Sequence, residues 1–378
     1  MSTKKFVFEE VHHSDQRHES QSTKNESSII LSNSKPTVIW LLLLLGLIIC
    51  MICVGGITRL TDSGLSIVEW KPLMGAIPPL SDKVWIIEFE KYKLIPEFIL
   101  TKSDMSMDEF KFIYFWEWSH RQLGRVIGLV WLVGFLSIFV LKKVPSGWSL
   151  KLFSIGALIG MQGFIGWWMV YSGLHGDMTD VASYRLATHL GVAFCILGLI
   201  FWSILSLRET NESLVVNRRY RDKRLNMLLN VFLIALFFQI ILGALVAGIH
   251  AGSSYTDWPL MDGKMFPSNY IMYDRFWVNF FENPAFVQFN HRLSAYVLTV
   301  LGTVIWILST KNPIKLIRRC HLFLIFILFS QVFLGVITLI YGAIFQLAIL
   351  HQLLGVILWL SAIWVKFETA YPRRQAII

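Results

Sequence analysis

The chain has 378 residues, 55% of them hydrophobic and 16% charged, with a mean hydropathy of +0.57. A soluble domain carries roughly 25% charged residues, so the composition excludes an ordinary water-soluble enzyme. The net charge of +9 is carried by the connections between apolar runs and no basic cluster lies outside them, which makes a nucleic-acid partner the weaker reading.

The first 36 residues are polar and mixed in charge, with Lys4, Lys5 and Arg17 against Glu9, Glu10, Asp15, Glu19 and Glu26. A mitochondrial transit peptide would be poor in acids, so this stretch reads as a disordered cytoplasmic tail. Eight apolar runs follow, each near the 20 or so residues that a bilayer requires. They lie near 38–58, 113–141, 152–171, 186–207, 227–249, 286–308, 322–341 and 344–365. Cys50, Cys53 and Cys195 fall within spans, and Cys320 falls at the start of the seventh. Cys50 and Cys53, a C-x-x-C inside an apolar helix, read as small buried hydrophobes, and no cysteine lies in an external loop for a disulfide.

Orientation follows from the basic residues. Lys142, Lys143 and Lys151 follow the second span, a cluster from Arg208 to Arg224 follows the fourth, and Lys311, Lys315, Arg318 and Arg319 follow the sixth. The opposite loops at 172–185 and 250–285 are poor in excess positive charge. The positive-inside rule then places both termini in the cytoplasm.

The chain is written twice. Glu69-Trp-Lys-Pro-Leu-Met-Gly echoes Asp257-Trp-Pro-Leu-Met-Asp-Gly, and His120-Arg121 echoes His291-Arg292. Gln162 and Gly166 echo Gln331 and Gly335, and His189 echoes His351. Each copy holds four spans, an even number, so the copies cross in the same sense, as a parallel repeat. The expected fold is an all-α polytopic membrane protein: an N-terminal four-helix bundle over 37–207, a basic linker over 208–226, a C-terminal four-helix bundle over 227–366 and a cytoplasmic tail over 367–378.

His120, His189, His291 and His351 each sit one to two turns after an outside-to-inside span begins, within about 12 Å of its external end. An ionisable side chain in a span costs roughly 3 kcal/mol on insertion scales and needs a partner or a function. Four at equivalent positions read as two pairs of axial ligands for heme iron. Zinc would require more nitrogen, sulfur or oxygen donors than each pair provides. Arg121 and Arg292, next to two of the ligands, suit heme propionates. His175, His250 and His321 read as surface or capping residues. The copies differ at one position of consequence. Glu117 lies one turn before His120, where the other copy has Gln288, so only one half offers a carboxylate for proton transfer or charge stabilisation.

The strings Glu117-Trp-Ser-His120-Arg121-Gln-Leu-Gly124-Arg125, Gly55-Gly56-Ile-Thr-Arg59-Leu-Thr-Asp-Ser-Gly64-Leu-Ser and Glu69-Trp-Lys-Pro-Leu-Met-Gly resemble heme A synthase over about residues 37–366. The resemblance implies oxidation of a porphyrin methyl of heme O to a formyl group by two successive hydroxylations, in the supply of heme A to terminal oxidases. It implies a substrate heme on His120 and His189 beside Arg121, Glu117 as the catalytic residue, and a heme b cofactor on His291 and His351 beside Arg292. Heme O synthase (the protoheme farnesyltransferase) is the implied partner, the bacterial inner membrane the implied location, and a homo-oligomer stays open. The chain lacks the cysteine pair that one subclass carries in its first external loop. A di-heme b-type cytochrome in quinol-linked electron transfer is the competing reading.

Overall fold

The computed structural model describes residues 13–71, 74–176 and 178–373, with side chains from Ser34 onward. Twelve α-helices account for the architecture, and among the described residues the only extended pairing is an isolated bridge between Met261 and Lys264. Eight helices are long and apolar enough to cross a bilayer: α1 (His13–Leu60, of which Ser34–Leu60 qualifies), α4 (Met107–Val140), α5 (Ser149–Gly173), α6 (Ser183–Leu207), α8 (Lys223–Gly248), α10 (Pro284–Ser309), α11 (Lys315–Ile340) and α12 (Phe345–Ala370). The chain is thus an integral membrane protein. The short helices α2 (Asp82–Tyr92), α3 (Pro96–Thr101), α7 (Asn211–Arg218) and α9 (Asn279–Glu282) lie in the connections.

Most of the helices begin a few residues before the apolar runs, and three of the spanning helices start on polar caps. Ser106 and Glu109 form a reciprocal capping box on α4, Asp222 accepts from Arg224 N and Leu225 N, and Asn283 accepts from Ala285 N and Phe286 N. Such caps satisfy the orphan N–H groups of a first turn. Of the polar tail expected over 1–36, residues 1–12 lie outside the described residues, and α1 is helical from His13.

Each half closes a ring of four neighbours. α1 packs on α4 and α6, and α5 completes the ring; α8 packs on α10 and α12, and α11 completes it. The halves meet along α6 with α8 and α12, and along α1 with α12. Buried positions on α1 recur at Leu41, Leu44, Ile48 and Ile52, the spacing of one helical face. The outward faces are apolar too, as in the exposed row Phe323, Phe326, Phe329 and Phe333 on α11. A lipid-facing surface accounts for that row, since hydrocarbon imposes no polar exterior.

Candidate functional site: two half-buried histidine pairs

Each of the four histidines lies on one helix and rests against a glycine of a neighbouring helix. A Cβ built on Gly55 of α1 would stand 3.0 Å from Cε1 of His120 on α4. The same construction gives 3.0 Å from Gly166 to His189, 3.2 Å from Gly243 to His291 and 2.8 Å from Gly335 to His351. Any larger residue would push the ring, so the glycines are there to admit imidazole. The rings of His120 and His189 face one another with centroids 6.4 Å apart. His189, His291 and His351 lie near the starts of α6, α10 and α12, as expected. His120 lies deeper along its helix, about 20 Å from Met107 at 1.5 Å per residue. The extra turns exist because Phe110, Ile113 and Tyr114 pack under the loop between α1 and α4, against Phe89, Tyr92 and Phe98.

Four residues before three of these glycines stands a glutamine. Gln162, Gln239 and Gln331 donate from Nε2 to the backbone carbonyls of His189, His291 and His351 at 2.7, 3.1 and 3.0 Å. The pairing of Gln162 with Gln331 is visible as part of the twofold repeat. Gln239 and Gly243 extend it to a Gln-x-x-x-Gly unit, a signal that comparing the helices of one half with each other would have found. In α1 the fourth unit reads Met51-Ile-Cys-Val-Gly55, with methionine in the glutamine position.

Glu117 is 3% exposed, and every one of its contacts is a donor: Ser66 Oγ at 2.7 Å, Ile67 N at 2.8 Å and Arg121 at 2.6 Å. Arg121 also donates to the carbonyls of Ile67 and Glu69. In the other half, Arg292 donates to Gln288 Oε1 and to the carbonyls of Tyr255, Asp257 and Leu260. Gln288 turns its amide nitrogen to the carbonyls of Ala251 and Tyr255. Both arginines therefore strap down the echoed Trp-Pro-Leu-Met loops. Arg292 keeps one buried, unpartnered N–H at Nε.

The remaining histidines divide. His175 is exposed beside Tyr171, as expected of a surface residue. His321 is buried in α11, with Nδ1 2.8 Å from the Ile317 carbonyl, so it is a core histidine and not a surface one. His250 joins Asp62 and Asp180 around Arg59, whose guanidinium bonds both carboxylates at 3.0 Å and the carbonyls of Ala247 and Gly248. Burial raises the Asp180 pKa, but His250 and Arg59 outweigh it and hold this carboxyl below its ordinary value. Cys50 is exposed and Cys53 only half-buried, contrary to the expectation of burial; Cys195 is exposed and Cys320 buried.

The donor set fits heme. Each site offers imidazoles on glycine-cleared floors, and His120 and His189 both present a buried Nδ1 without a partner. Among the described residues, the one group of three metal-ligating side chains is Asp62, Asp180 and His250, away from either pair, so neither pair has the third protein donor that zinc requires.

An eight-helix membrane protein with two half-buried histidine pairs and a single buried carboxylate beside one of them defines a class of heme-handling membrane proteins. Residues 38–363 match the model of the COX15-CtaA family, described as cytochrome oxidase assembly protein, and the chain belongs to that family. It is 47% identical over 373 residues to the heme A synthase of Dinoroseobacter shibae, covering 98% of this chain and 97% of that protein. Identity to the heme A synthase of Ruegeria sp. (strain TM1040) is 45% over 374 residues, 98% of each chain. That of Paracoccus denitrificans is 45% identical over 339 residues, covering 90% of this chain and 89% of that protein.

Proposed function

We infer that the chain converts heme O to heme A as a membrane-bound oxidoreductase, the activity its relatives' name describes. The reaction takes a ring methyl to a formyl group by two hydroxylations of one carbon, followed by loss of water from the geminal diol. His120 and His189 hold the substrate heme, with Arg121 beside it, and Glu117 is the catalytic carboxylate. His291 and His351 hold heme b, with Arg292 beside it; heme b supplies one-electron redox chemistry when bound. The observation that carries this reading is the difference in charge between two similar sites: a buried carboxylate one turn from His120, and a neutral amide one turn from His291.

The residues divide the work. Gly55 and Gly166 clear room for the two imidazoles that fix the substrate. Ser66, Ile67 N and Arg121 hold the Glu117 carboxylate at a set position on α4. Oxidation of the methyl makes that carbon electron-poor and releases protons. A fixed, buried carboxylate stabilises the first and accepts the second. The same arrangement disfavours a simple di-heme electron carrier, which has no use for a charge at one site alone. The substrate is lipophilic, so heme O synthase in the same membrane is the partner that would supply it.

Expression of the full chain in cells making heme O, followed by heme extraction and mass analysis, tests the activity. Heme A is the expected product; heme O alone would overturn the reading. The basic linkers support a topology with both termini in the cytoplasm. Reporters fused at Ser213 and Ser268, on either side of α8, should land on opposite faces, and finding them on one face would defeat that topology.

A further inference from the structure

We propose that His120 is the exchangeable ligand of the four, the one whose hold loosens as substrate enters and product leaves, and that Met51 is the positioning residue that allows it. This deepens the reading above and rests on the N-terminal pair holding the substrate heme.

At three of the histidines a glutamine amide ties the neighbouring helix to the ligand's own backbone carbonyl. Each tie fixes a ligating residue against the helix that carries its glycine. At His120 that tie is replaced by methionine. The replacement is spatial as well as sequential. Gly124 and Gly355 stand one turn after His120 and His351. A Cβ on Gly124 would lie 3.3 Å from Met51 Cε, and a Cβ on Gly355 would lie 3.6 Å from Gln331 Nε2. The Met51 methyl and the Gln331 amide therefore occupy the same place on their ligand helices. A thioether there packs by dispersion alone and adapts to displacement, whereas an amide holds a directed bond. Near His120, Glu117 and Arg121 tie α4 to the loop that follows α1, and the one bond from α1 runs from Thr58 Oγ1 to the Trp116 carbonyl at 3.3 Å, a turn away from the His120 carbonyl. A cofactor that stays put is served by clamps on both ligands, as at His291 and His351. A substrate that must leave after each reaction is served by one clamped ligand, His189, and one unclamped, His120.

The test is the rate at which each heme leaves the purified full chain for apomyoglobin, with the departing heme identified by chromatography. Met51→Gln installs the missing amide and should slow release of heme O and heme A about five-fold, the effect of one added hydrogen bond, with heme b release unchanged. Met51→Leu, which adds no donor, should release them as the native chain does. Gln331→Met removes a clamp and should speed heme b release by a similar factor. It carries the test alone if Met51→Gln does not assemble. Heme A made normally, with release unaltered in Met51→Gln or slowed equally in Met51→Leu, would overturn this inference and leave the proposed function standing. A chain that neither binds heme O nor forms heme A would sink both.

Discussion

The two halves share one frame and diverge where chemistry would need them to. Both close four helices around a histidine pair, rest each imidazole on a glycine, and strap the connection ahead of the first histidine's helix to the arginine after that histidine. The N-terminal half has Glu117 where its counterpart has Gln288, and Met51 where its counterpart has Gln239. The partners have changed with the residue: Glu117 meets only donors, whereas Gln288 also gives its amide to two carbonyls. One half thus carries a buried charge and one glutamine tie, and the other a neutral amide and two glutamine ties.

The largest effect expected is in the clamped half. His291→Ala or His351→Ala deletes one of two ligands from a site with little other polar anchorage, so heme b content should fall nearly to zero. Pigment extraction and the low-spin bis-imidazole spectrum measure this. Full retention in both variants would break the comparison by removing the cofactor from that half.

Next comes the charge. Glu117→Gln copies the other half's residue, and should lower heme A formation at least about a hundredfold, within the range for a lost acid–base group. Heme b at His291 and His351 should be retained. The swap is not innocent, since the new amide nitrogen must face one of three donors. The reverse change controls for that. Gln288→Glu sets a carboxylate against the carbonyls of Ala251 and Tyr255 and loses both bonds, so thermal unfolding should occur lower by about 1–3 kcal/mol equivalent without any gain in activity. Near-normal heme A from a well-folded Glu117→Gln chain would reduce Glu117 to a strap residue.

Much of this was legible in the sequence because membranes simplify it. Apolar runs report spans, and an ionisable residue inside one stands out against its cost; His120, His189, His291, His351 and Glu117 were visible for that reason. The partners of Arg121 and Arg292 were not. Their loop carbonyls lie 35 or more residues away in several cases, and a backbone acceptor leaves no mark in the sequence. Gln239 was missed because an amide in an apolar helix reads as tolerated polarity until the helix beside it is known. The helices α2 and α3 lay hidden in the first external loop because they bury only one side, through Phe89, Tyr92 and Phe98.

The smallest effect expected is at the seam where the halves meet. Gly55 and Gly56 are consecutive on α1, and each receives a different half. Gly55 takes the His120 ring, while Gly56 lets Gln352, the residue after His351, reach in and donate to the Ile52 carbonyl at 2.6 Å. A Cβ on Gly56 would fall 2.2 Å from Gln352 Oε1. The amide is the far end of a flexible side chain, so Gly56→Ala should displace it rather than disrupt the helices, at a cost of about 1 kcal/mol for the lost bond. Gln352→Ala loses the same bond and should cost a similar amount. Because both substitutions remove one shared contact, the double variant should cost clearly less than the two together. Sites that do not interact add to within about 0.5 kcal/mol. Unfolding of the four proteins in detergent, followed by the bound-heme absorbance, closes the cycle. Strict additivity would mean that Gly56 and Gln352 act separately, and that the two histidine sites are not joined through this contact.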